Sequence, residues 1–212
     1  QLARALITAE ATHITPLIAL NKSDLVEPFA RAWARLQPYR HMGAEGKHYG
    51  VLPLSLTQSS DVDRNALMEH LKGKTTLVLG PSGSGKSTLI NRLLPDADVL
   101  TNEISTALNS GKHTTTSTSL YWVDAAKTTA VIDSPGFQEF GLNHIDPMHL
   151  AGLMPDIKAH AGNCKFYNCG HLHEPGCGVL LQTKEAFSPG GITANRYKIY
   201  SDLFEELSQT RY

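Results

Sequence analysis

Gly80-Pro81-Ser82-Gly83-Ser84-Gly85-Lys86-Ser87 fits the pattern GxxxxGK[ST], and residues of these types at this spacing can hold phosphate. Glycines allow the backbone torsions that gather successive N–H groups around an anion. A helix opening at Lys86 adds the partial positive charge of its N-terminus. The Lys86 ammonium is expected to reach the β- and γ-phosphates of a nucleotide, and the Ser87 hydroxyl to bind Mg2+. The candidate phosphate-binding set is Gly80, Ser82, Gly83, Ser84, Gly85, Lys86, Ser87 and Thr88. This motif does not choose the base.

Asn21-Lys22-Ser23-Asp24, directly after an apolar run, can choose it. One carboxylate accepts both the N1–H and the N2 amine of guanine, and adenine lacks that donor pair, so Asp24 discriminates by hydrogen-bond pattern. Asn21 is expected on the N7 side of the base, with the aliphatic stem of Lys22 covering the ring. NKSD alone is a four-letter match; in one chain with the phosphate loop it becomes specific. Ser55-Leu56, at the end of the next strand-like run, resembles the short S-A-type loop of GTPases, a resemblance that implies a contact from the Leu56 N–H to guanine O6.

Asp133-Ser134-Pro135-Gly136 closes an apolar strand and fits DxxG. Asp133 is expected to hold Mg2+ through water, and the Gly136 N–H to touch the γ-phosphate. Upstream, GKHTTT at 111–116 offers Thr114, Thr115 and Thr116 to complete the Mg2+ coordination, Thr115 being favoured by position. Phe137 follows the DxxG element and cannot orient an attacking water. His113 is the nearest residue in sequence that could, although a solvated loop histidine is the plainer reading.

The chain has three cysteines, all within Cys164-x4-Cys169-x-His171-x5-Cys177. Three thiolates and an imidazole make a full tetrahedral set, which reads as one closed, structural Zn2+ site per chain. An odd number of cysteines fits a metal site in a reducing compartment better than a disulfide framework. On spacing, His173 is an alternative ligand to His171.

These residues need a scaffold, and the intervening sequence supplies one. Helical spacing over 1–12, 26–43 and 61–73 alternates with strand-like runs at 16–20, 48–56 and 75–80. Asp61 or Asp63 is the expected cap of the third helix. A helix over 86–94, a polar loop over 95–117, and a hairpin of TSLYWV and TTAVIDS follow, and TANRYKIYSDLFEEL reads as a terminal helix. The pattern predicts an α/β three-layer sandwich with a mainly parallel sheet. After residue 150 the texture becomes rich in Cys, His, Asn and Gly, so the expected domains are 1–150 and 151–212. The 212 residues are 41% hydrophobic and 18% charged, with a net charge of −1, so no global basic field points to nucleic acid. No apolar run approaches the roughly 20 residues needed to span a bilayer, and no charged-then-apolar leader opens the chain. The expectation is a cytoplasmic protein with no membrane partner.

The order of motifs is base reader, base loop, phosphate loop, threonine switch, DxxG: a cyclic shift of the usual GTPase order. A shift preserves a fold when the old termini lie close together and the new ones fall in an exposed connection. With NKSDL, GPSGSGKSTLINRLLP, GKHTTT, IDSPGFQEFGL, the cysteine cluster and NRYKIY, the chain resembles the circularly permuted, ribosome-associated GTPase family known as RsgA or YjeQ. The resemblance covers nearly the whole chain. It implies a P-loop GTPase fold with a small C-terminal zinc-binding helical subdomain, and hydrolysis of GTP to GDP and phosphate in late maturation of the small (30S) ribosomal subunit. It also implies GTP/GDP, the small subunit and its rRNA as partners, ribosome-stimulated turnover, and a monomer. The HLHEPGC pattern favours His171 over His173 as zinc ligand, and Lys158, Lys165 and Lys184 become candidate ribosome contacts. Family members carry an N-terminal OB-fold domain and a sheet strand upstream of this sequence, so the chain is expected to be a fragment. Two other readings compete. One is a nucleotide-gated RNA or protein binding module with incidental hydrolysis. The other, a P-loop ATPase or small-molecule kinase, is opposed by NKSD.

Overall fold

The computed structural model describes residues 1–42, 49–57, 61–94, 118–134 and 141–209. In chain order the elements are α1 (Leu2–Ala11), β1 (Leu17–Leu20), α2 (Val26–Arg35), α3 (Gln37–Arg40), β2 (Gly50–Pro53), α4 (Asp61–Leu71), β3 (Thr75–Val78), α5 (Lys86–Leu93), β4 (Ser119–Trp122) and β5 (Ala130–Asp133). A 3-10 helix (Pro147–Leu153), α6 (Pro155–Ala161), α7 (Gly178–Leu181), β6 (Thr183–Lys184), β7 (Ile192–Thr193) and α8 (Ala194–Gln209) complete them. Contacts group the chain into two units: Gln1–Ile18, Ala30–Val51 and Phe140–Tyr212 form one, Ala19–Phe29 and Leu52–Glu139 the other. This partition follows contacts, whereas the expected division at residue 150 follows motifs.

In the second unit, β3, β5 and β4 form a sheet in the order β3-β5-β4. β3 is parallel to β5 with Val78 opposite Asp133, so the strand before the phosphate loop and the strand ending at Asp133 finish at the same end. β4 is antiparallel to β5, which is the hairpin the sequence predicts. Its turn is closed by Asp124, whose carboxylate accepts from the N–H groups of Thr128 at 2.9 Å and Thr129 at 2.6 Å. Those bonds, with one from the Thr128 hydroxyl at 3.0 Å, hold the Asp124 carboxyl down at about 2. Ile90 and Leu93 of α5 and Val131 of β5 are fully buried in this unit.

Two local expectations are corrected. The apolar run at 16–20 predicts a buried strand, yet of β1 only Ile18 is buried. Among the described residues β1 has a single hydrogen-bonded neighbour, β2. The pattern over 26–43 predicts one helix, and the structure has two, α2 and α3. Pro38 in the first turn of α3 has no N–H with which to continue the α2 ladder.

The first unit is built around a core that takes Ile7 from α1, Leu150 and Met154 from the segment before α6, and Tyr200, Leu203 and Leu207 from α8. Within it, Arg196 Nε and Nη2 each donate to a carboxylate oxygen of Asp156 at 2.8 Å. The two side chains are 3% and 5% exposed. Arg196 Nη1 also donates to the Tyr39 hydroxyl at 3.3 Å, and the guanidinium lies 4.8 Å from the centre of that ring. Arg196→Met would leave a buried carboxylate without its counter-charge, and the expected loss is about 3–5 kcal/mol. Chemical denaturation measures it. A loss below about 1 kcal/mol would show that Asp156 finds another partner.

Candidate functional site

At the end of β1 the chain turns at once. Lys22 sits in the left-handed region at φ 69°, and its N–H donates to Asn21 Oδ1 at 2.7 Å. The same oxygen accepts from the Leu56 N–H at 3.2 Å, and Asn21 Nδ2 donates to Ser84 O at 3.0 Å. One amide side chain thereby joins the NKSD loop, the Ser55-Leu56 loop and the phosphate loop. The Ser55 hydroxyl donates to Asp24 Oδ1 at 2.8 Å. The Ser55 N–H donates to Asp63 Oδ2 at 2.9 Å, so Asp63, which the sequence offers as a helix cap, serves the preceding loop. α4 itself begins at Asp61.

Gly83 and Gly85 take φ of 74° and 102°. At Gly85 a Cβ would also come within 2.5 Å of Asn21 Nδ2, so the Asn21 contact and the torsion both require glycine there. Among the described residues no side chain caps α5 at Gly85, which leaves its first-turn N–H groups suited to an anion. Lys86 Nζ donates to the carbonyls of Gly80 at 2.8 Å and Pro81 at 3.2 Å. Asp133 is 3% exposed, and its Oδ1 has no hydrogen-bond partner among the described residues. Burial raises its carboxyl above the usual carboxylate range, with the Lys86 ammonium acting the other way. An orphaned carboxylate oxygen near a phosphate loop, with a serine hydroxyl at Ser87, is a hard-oxygen set suited to Mg2+.

A raised carboxyl binds its proton more readily folded than unfolded, so its ionisation withholds stability as pH rises past the ordinary value. Asp133→Asn is therefore expected to raise the melting temperature at pH 7 without nucleotide or Mg2+, by a few degrees. The gain should vanish below about pH 4. A lower melting temperature at pH 7 would contradict this. His113, Thr115 and Gly136, with Thr114, Thr116 and Phe137, lie outside the described residues.

In the other unit, Cys164, Cys169, His171 and Cys177 bring their ligand atoms within 4.8 Å of one another. Cys164 Sγ is 3.3 Å from His171 Nδ1 and 3.8 Å from Cys177 Sγ, and Cys177 Sγ is 3.5 Å from Nδ1. Bonds of about 2.3 Å to sulfur and 2.0 Å to nitrogen at tetrahedral angles put ligand atoms roughly 3.5–3.8 Å apart, so the set is compatible with Zn2+. His173 is exposed and outside the cluster. Burial pushes the Cys169 thiol up to about 12, and a thiolate there needs a cation beside it.

The loop that carries the cysteine cluster is tied down from two sides. Glu174 accepts from the N–H groups of Gly170, Leu172 and His173 at 2.6, 2.9 and 3.1 Å. Burial alone would raise its carboxyl, but its own backbone N–H and these donors hold it at about 2. Tyr197 and Tyr200 of α8 donate to the carbonyls of His171 and Gly170, each at 2.9 Å. NRYKIY contains both tyrosines but does not name their partners; their three-residue spacing on an amphipathic helix was the available signal.

A family model described as RsgA GTPase matches residues 1–143. The chain belongs to the RsgA GTPase family. A relative from Variovorax paradoxus, "Small ribosomal subunit biogenesis GTPase RsgA", is 69% identical over 212 residues, covering 100% of this chain and 65% of its own. One of the same description from Paraburkholderia phytofirmans is 50% identical over 211 residues, covering 98% of this chain and 64% of its own. The chain thus spans about two thirds of these RsgA proteins. The crystal structure of YjeQ from Thermotoga maritima aligns with TM-score 0.70 at 28% identity, over 98% of this chain and 65% of that one. YloQ, a circularly permuted GTPase, aligns with TM-score 0.71 at 28% identity, over 100% of this chain and 63% of that one. The fold of this RsgA-family chain is accordingly α/β and circularly permuted, with NKSD ahead of the phosphate loop. Among the described residues no helix is long and apolar enough to cross a membrane.

Proposed function

We propose that this chain is the GTP-hydrolysing part of a factor acting in late maturation of the small (30S) ribosomal subunit. Its partners are GTP and GDP, that subunit and its rRNA, and it works as a cytoplasmic monomer. Residues 1–150 are the permuted GTPase domain and 151–212 the zinc-binding subdomain. The observation that carries the reading is Asn21, which hydrogen-bonds both the Ser55-Leu56 loop and the phosphate loop and so unites base and phosphate recognition in one place. The descriptions of the curated relatives support the ribosomal part.

In this reading Asp24 accepts from guanine N1–H and the N2 amine, Lys22 covers the ring, and the Leu56 N–H is shared with guanine O6. Lys86 exchanges the carbonyls of Gly80 and Pro81 for β- and γ-phosphate oxygens. Ser87, Thr115 and Asp133 would hold Mg2+, which supplies neutralisation of the charge on the phosphate oxygens. The Gly136 N–H meets the γ-phosphate, and His113 orients the attacking water that Phe137 cannot. Cys164, Cys169, His171 and Cys177 hold one Zn2+ with no position left for catalysis.

The test is steady-state GTP hydrolysis by the full-length protein with and without small ribosomal subunits. Stimulation of tenfold or more is expected, and its absence would remove the ribosomal part of the proposal. The apolar Phe137 favours a second reading, a nucleotide-gated binding module. Ribosome binding that depends on nucleotide while turnover stays unaccelerated would support that one.

A further inference from the structure

We infer that Asp63 is a positioning residue for guanine recognition, acting through Ser55; the inference rests on the proposed role of Asp24. Ser55 spends its two donors on two carboxylates: its N–H goes to Asp63 Oδ2 at 2.9 Å and its hydroxyl to Asp24 Oδ1 at 2.8 Å. The residue is only 7% exposed, so bulk water competes weakly for either bond. Hydrogen bonds to a carboxylate are short and strong, which makes this a rigid relay. Fixing the Ser55 N–H fixes its backbone, and the backbone sets where the hydroxyl points. With Oδ1 bound to Ser55, the Asp24 carboxylate can turn only within narrow limits, and its remaining lone pairs have a defined direction. The next peptide carries the Leu56 N–H onto Asn21, so the same anchor steadies a second base-facing group. No motif marks Asp63. It acts from the first turn of α4, eight residues beyond Ser55.

The experiment compares binding of fluorescent GDP and inosine diphosphate, which lacks the N2 amine, to the full-length protein. Asp63→Ala is expected to weaken GDP binding about tenfold, the equivalent of about 1.4 kcal/mol, and inosine diphosphate much less, so the preference for guanine shrinks. Inosine diphosphate binding also reports that the variant is folded. Asp63→Asn keeps an oxygen acceptor for the Ser55 N–H and should restore most of the preference. Equal weakening of both nucleotides, or unchanged GDP binding, overturns the inference while leaving the guanine reading intact. A wild-type protein that binds the two nucleotides equally overturns the role of Asp24, and this inference with it.

Discussion

Replacing Cys177 with serine, or stripping Zn2+ with a chelator, is expected to unfold the unit that contains α6, α7 and α8. Cys169 and Cys177 are members of its hydrophobic core rather than surface ligands. Structural Zn2+ contributes about 10–16 kcal/mol of binding free energy in small zinc modules at pH 7. A domain's whole stability is typically about 5–15 kcal/mol, so this loss is not absorbed elsewhere. The helices nearest the cluster, α6 with seven residues and α7 with four, are far too short to persist unsupported. Zinc content by elemental analysis, helicity by circular dichroism and tryptic cleavage within 160–209 read the outcome. His173→Ala is the matched control, because His173 lies outside the cluster, and it should retain full zinc and helicity. If His173→Ala unfolds the unit and Cys177→Ser does not, the ligand assignment is wrong.

Asp24→Asn is expected to weaken GDP binding on the order of 10³-fold, since a site built to hydrogen-bond a substrate rejects a mismatched pattern strongly. The direction follows from Ser55. Its hydroxyl donates to Asp24 Oδ1, so an asparagine keeps its oxygen on that donor and turns its amide N–H groups toward the base. Those donors clash with the guanine N2 amine and match the carbonyl that xanthine carries instead. Xanthosine diphosphate should accordingly bind the variant better than GDP does. Competition titration settles it, and a variant that still prefers GDP would remove Asp24 from the base contact.

Much of this was legible in the sequence for one reason: motifs spaced within a single loop carry their geometry with them. Gly80–Ser87 and Asn21–Asp24 are local, and the cysteine spacing already defined a tetrahedral set. What was hidden lies between distant segments. Nothing in the sequence pairs Arg196 with Asp156, since a buried ion pair has no periodicity. Asp63 read as a helix cap because caps are a local rule, whereas its partner Ser55 sits in the preceding loop. Spacing left His173 open as an alternative to His171; the fold separates them by holding His171 at φ 59° inside the cluster and leaving His173 exposed. The break between α2 and α3 was readable from Pro38, and the helical periodicity on either side masked it.

The unit that houses the cysteine cluster draws on segments far apart in sequence: Ile7 shares a core with Leu207, and Arg4 pairs with Glu206 across 202 positions. A ribosome makes the chain from one end, at about 5–20 residues per second. Helix α1 therefore waits roughly 10–40 s for its packing partners to be synthesised, with its apolar face uncovered meanwhile. The phosphate loop and the strands around it are complete well before that. Nascent copies of this protein thus pass through a stage in which the nucleotide loops exist and the unit with the cysteine cluster does not, and a metal can join that cluster only once residues 164–177 have been made.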